Sequence, residues 1–270
     1  MQLDEFLKDS KPENTIVIMD FDGTLHRGLF LRYFKGRANA DLGLELLSIS
    51  FLRPWRSVPL FVGLLQLFLL ERRLKRDYKA GRISLSDFDE TMIRFFASKV
   101  LPICTHDDIQ GAAWPVSALA YEKAWHCLSD LKGRCSFVII SKSYEFLLHK
   151  VVLRALEFHR LELEFHGVKL GDDGEILADS VVSREDKGTK TKQFLSRKPQ
   201  IKKAVILGDT EDDIAMKDAA TDLLGASNVL FIAMKAKDRK IIEASNLAFK
   251  SWENLTINRN DRKNQNGINV

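Results

Sequence analysis

Three short apolar runs each end on a residue that carries chemistry, and this pattern limits what the chain can become. Residues 15–20 (TIVIMD) run into Asp20-Phe21-Asp22-Gly23-Thr24-Leu25. Residues 135–141 (CSFVIIS) end on Ser141, and residues 203–208 (KAVILG) lead into Asp209-Thr210-Glu211-Asp212-Asp213. VLFIA at 229–233 is a further run of the same kind. Short β-branched and apolar runs bounded by polar turns read as buried strands. Helical periodicity lies between them, at about 145–157, 188–197 and 211–219, and another strand is expected near 161–168. Strands alternating with helices predict an α/β chain, a three-layer Rossmann-like parallel sheet core.

One long segment interrupts the alternation. Residues 29–131 hold few turn signals, and apolar residues recur there at spacings of three and four, as in Phe88, Met92, Ile93, Phe95 and Phe96, with Asp87 or Ser86 as the helix cap. The reading is an inserted all-helical cap over 29–131, on a core formed by 1–28 and 132–257. The Asn-rich tail over 258–270 is expected to be disordered. LGDDGEI at 170–176 reads as a hairpin turn, since Asp-Gly suits the twist of a tight turn. His149, His159 and His166 show no ligand spacing, Trp55, Trp114 and Trp125 read as core fillers, and His26 reads as a polar loop residue.

With 270 residues and 45% apolar content, the chain has material for a sizeable core. A formal charge of +4 is too mild for a dedicated nucleic-acid binder, so no nucleic-acid partner is expected. Cys104, Cys127 and Cys135 form no CxxC pair, and the polar, acidic N-terminus lacks a signal-peptide pattern, so a cytoplasmic setting is expected. Residues 58–70 (VPLFVGLLQLFLL) are too short to span a bilayer, which needs about 20 apolar residues. They read either as a buried cap helix or, with Arg72-Arg73-Leu74-Lys75-Arg76 beside them, as a peripheral membrane contact through 50–76.

In open parallel sheets, sites form beyond the carboxyl ends of the strands. Asp20 and Asp22 lean from one strand end, and Asp209 and Asp213 add negative charge from another. Close carboxylates repel unless a cation lies between them, and an all-oxygen set of this kind suits Mg²⁺. A carboxylate held in this way could attack phosphorus, with Lys187 neutralising the phosphoryl oxygens and Ser141 donating to them. Gly23 would let the backbone turn closely around the phosphate.

This set resembles the haloacid dehalogenase (HAD) superfamily of phosphotransferases. DFDGTL at 20–25 matches its first motif, Ser141 its second, Lys187 in Lys187-Gly188-Thr189-Lys190 its third, and GDTEDD at 208–213 its fourth. The resemblance implies Asp20 as nucleophile and Asp22 as general acid/base. It implies Mg²⁺ held by Asp20, the backbone carbonyl of Asp22 and Asp209, with Asp213 or Asp212 assisting. Lys190 and Lys192 remain alternatives to Lys187. The acidic residue at position 22 implies phosphatase or phosphotransferase work rather than dehalogenation. The helical insertion resembles the cap of the phosphoserine-phosphatase-like branch. DGTLH and Phe30-Leu31-Arg32-Tyr33 add a patchier likeness to bacterial phosphatidylglycerophosphate phosphatases. The expected substrate is therefore a phosphorylated small molecule or a lipid phosphate. The alternatives are transfer to an acceptor other than water, or a non-catalytic membrane- or protein-binding member.

Overall fold

The computed structural model describes residues 3–27, 38–51, 54–172, 174–234 and 239–255. Six strands form one parallel sheet: β1 (Thr15–Met19), β2 (Ser136–Tyr144), β3 (Glu164–Val168), β4 (Lys203–Gly208), β5 (Val229–Met234) and β6 (Leu247–Phe249). Their order is β3-β2-β1-β4-β5-β6. The chain works outward from β1 in one direction and then outward from β4 in the other, which places the topological switch point between these two strands. Their register pairs Met19 with Leu207, so Asp20 and Asp209 leave the sheet side by side.

Strand alternation divides the core in two. Val17, Met19, Ile139, Val205, Leu207 and Ile232 face one cluster. Ile16, Ile18, Val138, Ile140, Ile206 and Phe231 face the other. The central runs of these strands, residues 16–19, 137–140, 204–207 and 229–234, are apolar on both sides because both faces are covered. The α/β layering expected of the sequence is therefore present. β6 and the short helix before it had no counterpart among the expected elements, since three residues carry too little periodicity to register.

The helices are α1 (Leu3–Phe6), α2 (Ala38–Ser50), α3 (Pro54–Lys79), α4 (Leu85–Phe95), α5 (His106–Ser117), α6 (Glu122–Leu131), α7 (Glu145–His159), α8 (Arg184–Ser196), α9 (Asp212–Leu224) and α10 (Arg239–Ala244). A π-helical turn, Phe96–Val100, and a 3₁₀ turn, Leu101–Ile103, follow α4. In the segment between β1 and β2 the described residues form helices joined by turns and two isolated bridges, with no extended strand. Backbone bonds Arg27 N to Leu119 O and Tyr121 N to Leu25 O draw its two ends together beside the sheet. α6 then packs on α7, in the layer over the sheet.

Several local expectations change. The cap of α4 is Ser84, whose hydroxyl accepts from Asp87 N while the Asp87 carboxylate accepts from Ser84 N; neither Asp87 nor Ser86 is the cap itself. His26 is fully buried rather than a polar loop residue. Trp125 is in the core, but Trp55 and Trp114 are exposed. The expected turn at 170–176 forms, closed by Gly171 N to Glu175 O. The 258–270 tail and Phe30-Leu31-Arg32-Tyr33 lie outside the described residues. No described helix is long and apolar enough to cross a membrane.

Candidate active site

Beyond Met19 the backbone stays on the sheet for one more bond, Asp20 N to Leu207 O at 3.1 Å. It then turns sharply at Gly23, whose φ is +78°. A Cβ there would also overlap the Asp209 carboxylate. Glycine is needed for the backbone angle and for the close approach of the second acidic loop. Thr24 Oγ1 donates to Asp209 Oδ1 at 3.2 Å and joins the two loops.

The loop after β4 is organised by Asp213. Its Oδ2 accepts from Asp209 N (2.9 Å), Thr210 N (3.0 Å) and Thr210 Oγ1 (3.3 Å). Its Oδ1 accepts from Lys187 Nζ at 2.7 Å. A Cβ on Gly208 would overlap this carboxylate, so the glycine is required here by space alone.

Lys187 reaches the centre from the first turn of α8. Ser183 and Asp186 form a reciprocal capping box that fixes the start of this helix one turn earlier than the sequence suggested. The ammonium lies 3.0 Å from Asp20 Oδ2 and is almost wholly buried. Lys190 points elsewhere, 3.7 Å from Asp179. Between these two lysines the geometry singles out Lys187. Burial opposes its charge, but the carboxylates of Asp20, Asp213 and Asp212 outweigh that and hold its pKa well above the usual lysine value.

Ligand oxygens of Asp20, Asp209 and Asp213 all lie within 4.8 Å of one another. Burial pushes the Asp20 carboxyl up to about 7, with Asp213 and Asp22 adding to the rise and Lys187 opposing it. Burial, then Asp213 and Asp20, also hold Asp209 well above the ordinary carboxylate range. One lysine therefore does not balance the cluster. Asp20 Oδ1 is buried with no hydrogen-bond partner. An orphaned anionic oxygen amid converging carboxylates fits a hard divalent cation. Asp212 does not join this set: its carboxylate is bonded to Lys142 Nζ.

Asp22 faces the other way, towards the helical insertion. Its Oδ1 accepts from Ala38 N, the first residue of α2, at 2.6 Å, and its Oδ2 accepts from Ser143 Oγ at 2.8 Å. As a metal ligand, Asp22 would have only its backbone carbonyl to offer. Ser141 is fully buried, and its Oγ accepts from Ser143 N at 3.3 Å. It does not terminate its strand as expected, because β2 continues to Tyr144. Pairing with β3 is irregular between Ile140 and Tyr144, so Ser141, Lys142 and Ser143 leave the regular ladder there.

Lys142, Ser143, Asp89 and Asp41 were missed by sequence reasoning, and His26 was read as a loop residue. Lys142 Nζ bonds both Asp212 and Asp89 of α4, a polar link from the sheet edge to the helical insertion. Burial opposes the charge on Lys142, and Asp89 and Asp212 raise its pKa against it. Ser143 holds Asp22, as described. His26 Nε2 pairs with Asp41 Oδ2 of α2 at 2.7 Å, both side chains being buried. Lys142 and Ser143 had only their place next to Ser141 as a signal, and the Asp41 partner of His26 had none.

The fold is that of the HAD hydrolases. A phosphoserine phosphatase in a phospho-aspartyl intermediate analogue state shares 16% identity over 89% of this chain and 95% of that one, with a TM-score of 0.54. Cytosolic 5′-nucleotidase IIIB bound to cytidine aligns with 93% of this chain and 85% of its own at 13% identity, TM-score 0.60. The putative HAD-hydrolase YfnB from Bacillus subtilis, bound to magnesium, aligns over 91% and 97% at 15% identity, TM-score 0.51. No protein-family model and no curated protein sequence matches the chain.

Proposed function

We propose that this protein is a Mg²⁺-dependent phosphomonoester phosphatase working through an aspartyl phosphate on Asp20. The observation that carries the reading is the convergence of Asp20, Asp209, Asp213 and Lys187 from three separate segments at the sheet's switch point. Its relatives in fold include a phosphoserine phosphatase and a 5′-nucleotidase.

Asp20, Asp209 and the Asp22 carbonyl would hold the ion, with the remaining lone pair of Asp213 Oδ1 alongside. Bound there, Mg²⁺ supplies charge stabilisation for the transferring phosphoryl group. Asp20 attacks phosphorus through a carboxylate oxygen as the ester P–O bond breaks. Asp22 gives its proton to the leaving oxygen, then takes one from the water that hydrolyses the acyl phosphate. Lys187 neutralises the phosphoryl oxygens, and Ser141 donates to them.

A phosphorylated small molecule is the first substrate reading. A lipid phosphate is the second, favoured by the exposed apolar face of α3. Hydrolysis of an aryl phosphate with and without Mg²⁺, in wild type and Asp20→Asn, tests the core of the proposal. Equal inactivity of both proteins across a broad panel of phosphomonoesters sinks it and favours a non-catalytic role. Release of a phosphorylated alcohol instead of phosphate, with an alcohol present, would point to transfer to another acceptor.

A further inference from the structure

Half of the exposed large apolar side chains among the described residues fall between Phe51 and Leu69. The inner face of α3 is occupied: Leu60 is fully buried, and Gly63 packs against Ile103 and Val100. The outer face is apolar as well. Trp55 (71% exposed), Val58 (65%), Phe61 (56%), Leu65, Phe68 and Leu69 recur every three or four residues and line one side of the helix. An ordinary surface helix is polar on that side.

The stripe runs directly into charge. Between Glu71 and Arg82 there are six basic and two acidic residues. The guanidinium of Arg72 lies over the Phe68 ring at 5.1 Å, so the cationic zone begins on the apolar surface itself. Arg73, Arg76 and Arg82 line an open hollow of about 440 Å³ with Asp77 and Ile83. An apolar strip beside converging guanidinium groups is complementary to a surface with an oily layer and phosphate headgroups. A second copy of the chain fits less well. Two α3 helices packed in parallel would bring arginines together, and antiparallel packing would set arginines against the apolar residues around Trp55.

We propose that the outer face of α3 docks on a bilayer containing anionic phospholipids. This docking does not rest on the phosphatase reading.

Flotation of the full chain with phosphatidylcholine vesicles, and with vesicles in which about one third of the lipid is phosphatidylserine, tests it. Wild type is expected to float with the anionic vesicles and to lose most of that binding as salt is raised. Phe61→Asp with Leu65→Asp is expected to abolish flotation. Arg73→Gln with Arg76→Gln is expected to weaken it roughly ten- to thirtyfold, since each basic group near the surface contributes about 1 kcal/mol. All four positions are exposed, so the thermal melt and aryl phosphate hydrolysis should be unchanged in both double variants. Asp20→Asn should float like wild type, which separates failure of docking from failure of the catalytic reading. The proposal is overturned if wild type ignores both vesicles, or if the Asp double variant floats as well as wild type. It is equally overturned if sedimentation shows a dimer that the Asp variant dissolves while no protein floats.

Discussion

The sheet edge and the outer face of α3 break the usual rule of burial in opposite directions. At the sheet edge, four ionisable side chains (Asp20, Lys187, Asp212 and Asp213) are buried. On α3, large apolar side chains face solvent over about four turns. Burying charge and exposing oil are both unfavourable in isolation. In the readings proposed above, each region is offset by something it binds, a cation and phosphate in one case and an apolar, anionic surface in the other. The two differ in how their residues are brought together. The site is assembled across the fold, from loops after β1 and β4 and the start of α8. The stripe is local, the product of one helix's periodicity.

The comparison can be broken most sharply at Asp20. Asp20→Asn should lower aryl phosphate turnover by roughly a thousandfold or more, because no other group replaces the nucleophile. Steady-state kinetics with Mg²⁺ checks this, and a loss under tenfold would remove Asp20 from that role. Lys187→Ala should cost about 3–5 kcal/mol in denaturant unfolding of the metal-free protein, since it leaves Asp20 and Asp213 facing each other with no buried cation.

The two faces of α3 offer the next contrast. Leu60→Ala should cost about 2–5 kcal/mol through a buried cavity. Phe61→Ala, one residue further along, should change stability by about 0.5 kcal/mol or less. Similar losses at the two positions would mean that the outer face is packed after all.

The smallest effect is in pH. Burial pushes the Asp20 carboxyl up to about 7 in the folded protein, from 3.8 for an ordinary aspartate. The folded state therefore binds more protons than the unfolded one between these values, and this group's contribution to metal-free stability falls as pH rises through that window. Mg²⁺ held at the proposed site would stabilise the ionised form, so the melting shift on adding it should grow from pH 4 to pH 7. A shift that is equal or larger at the acid end would contradict this assignment.

The legible part of the site was the part with acidic or basic residues next to a strand run. Asp20, Asp209, Asp213 and Lys187 could be read in this way, because strand ends and helix starts leave local patterns. Asp89, Asp41 and Ser143 could not. Each acts through a partner far along the chain, Lys142, His26 and Asp22 respectively, and nothing in their own neighbourhood marks it. Asp212 and Asp213 are neighbours of the same type, and only packing sends one to Lys142 and the other to Lys187.

The alternation of strands and helices, and the acidic and basic residues that stand beside the strand runs, could be read from the sequence alone, because backbone periodicity and turn residues act over a few positions. Which lysine meets the acids, where Asp22 points and which face of α3 stays bare were decided by tertiary structure. Those outcomes depend on register between distant segments and on which surfaces remain after the helices have packed, quantities that no local stretch of sequence contains.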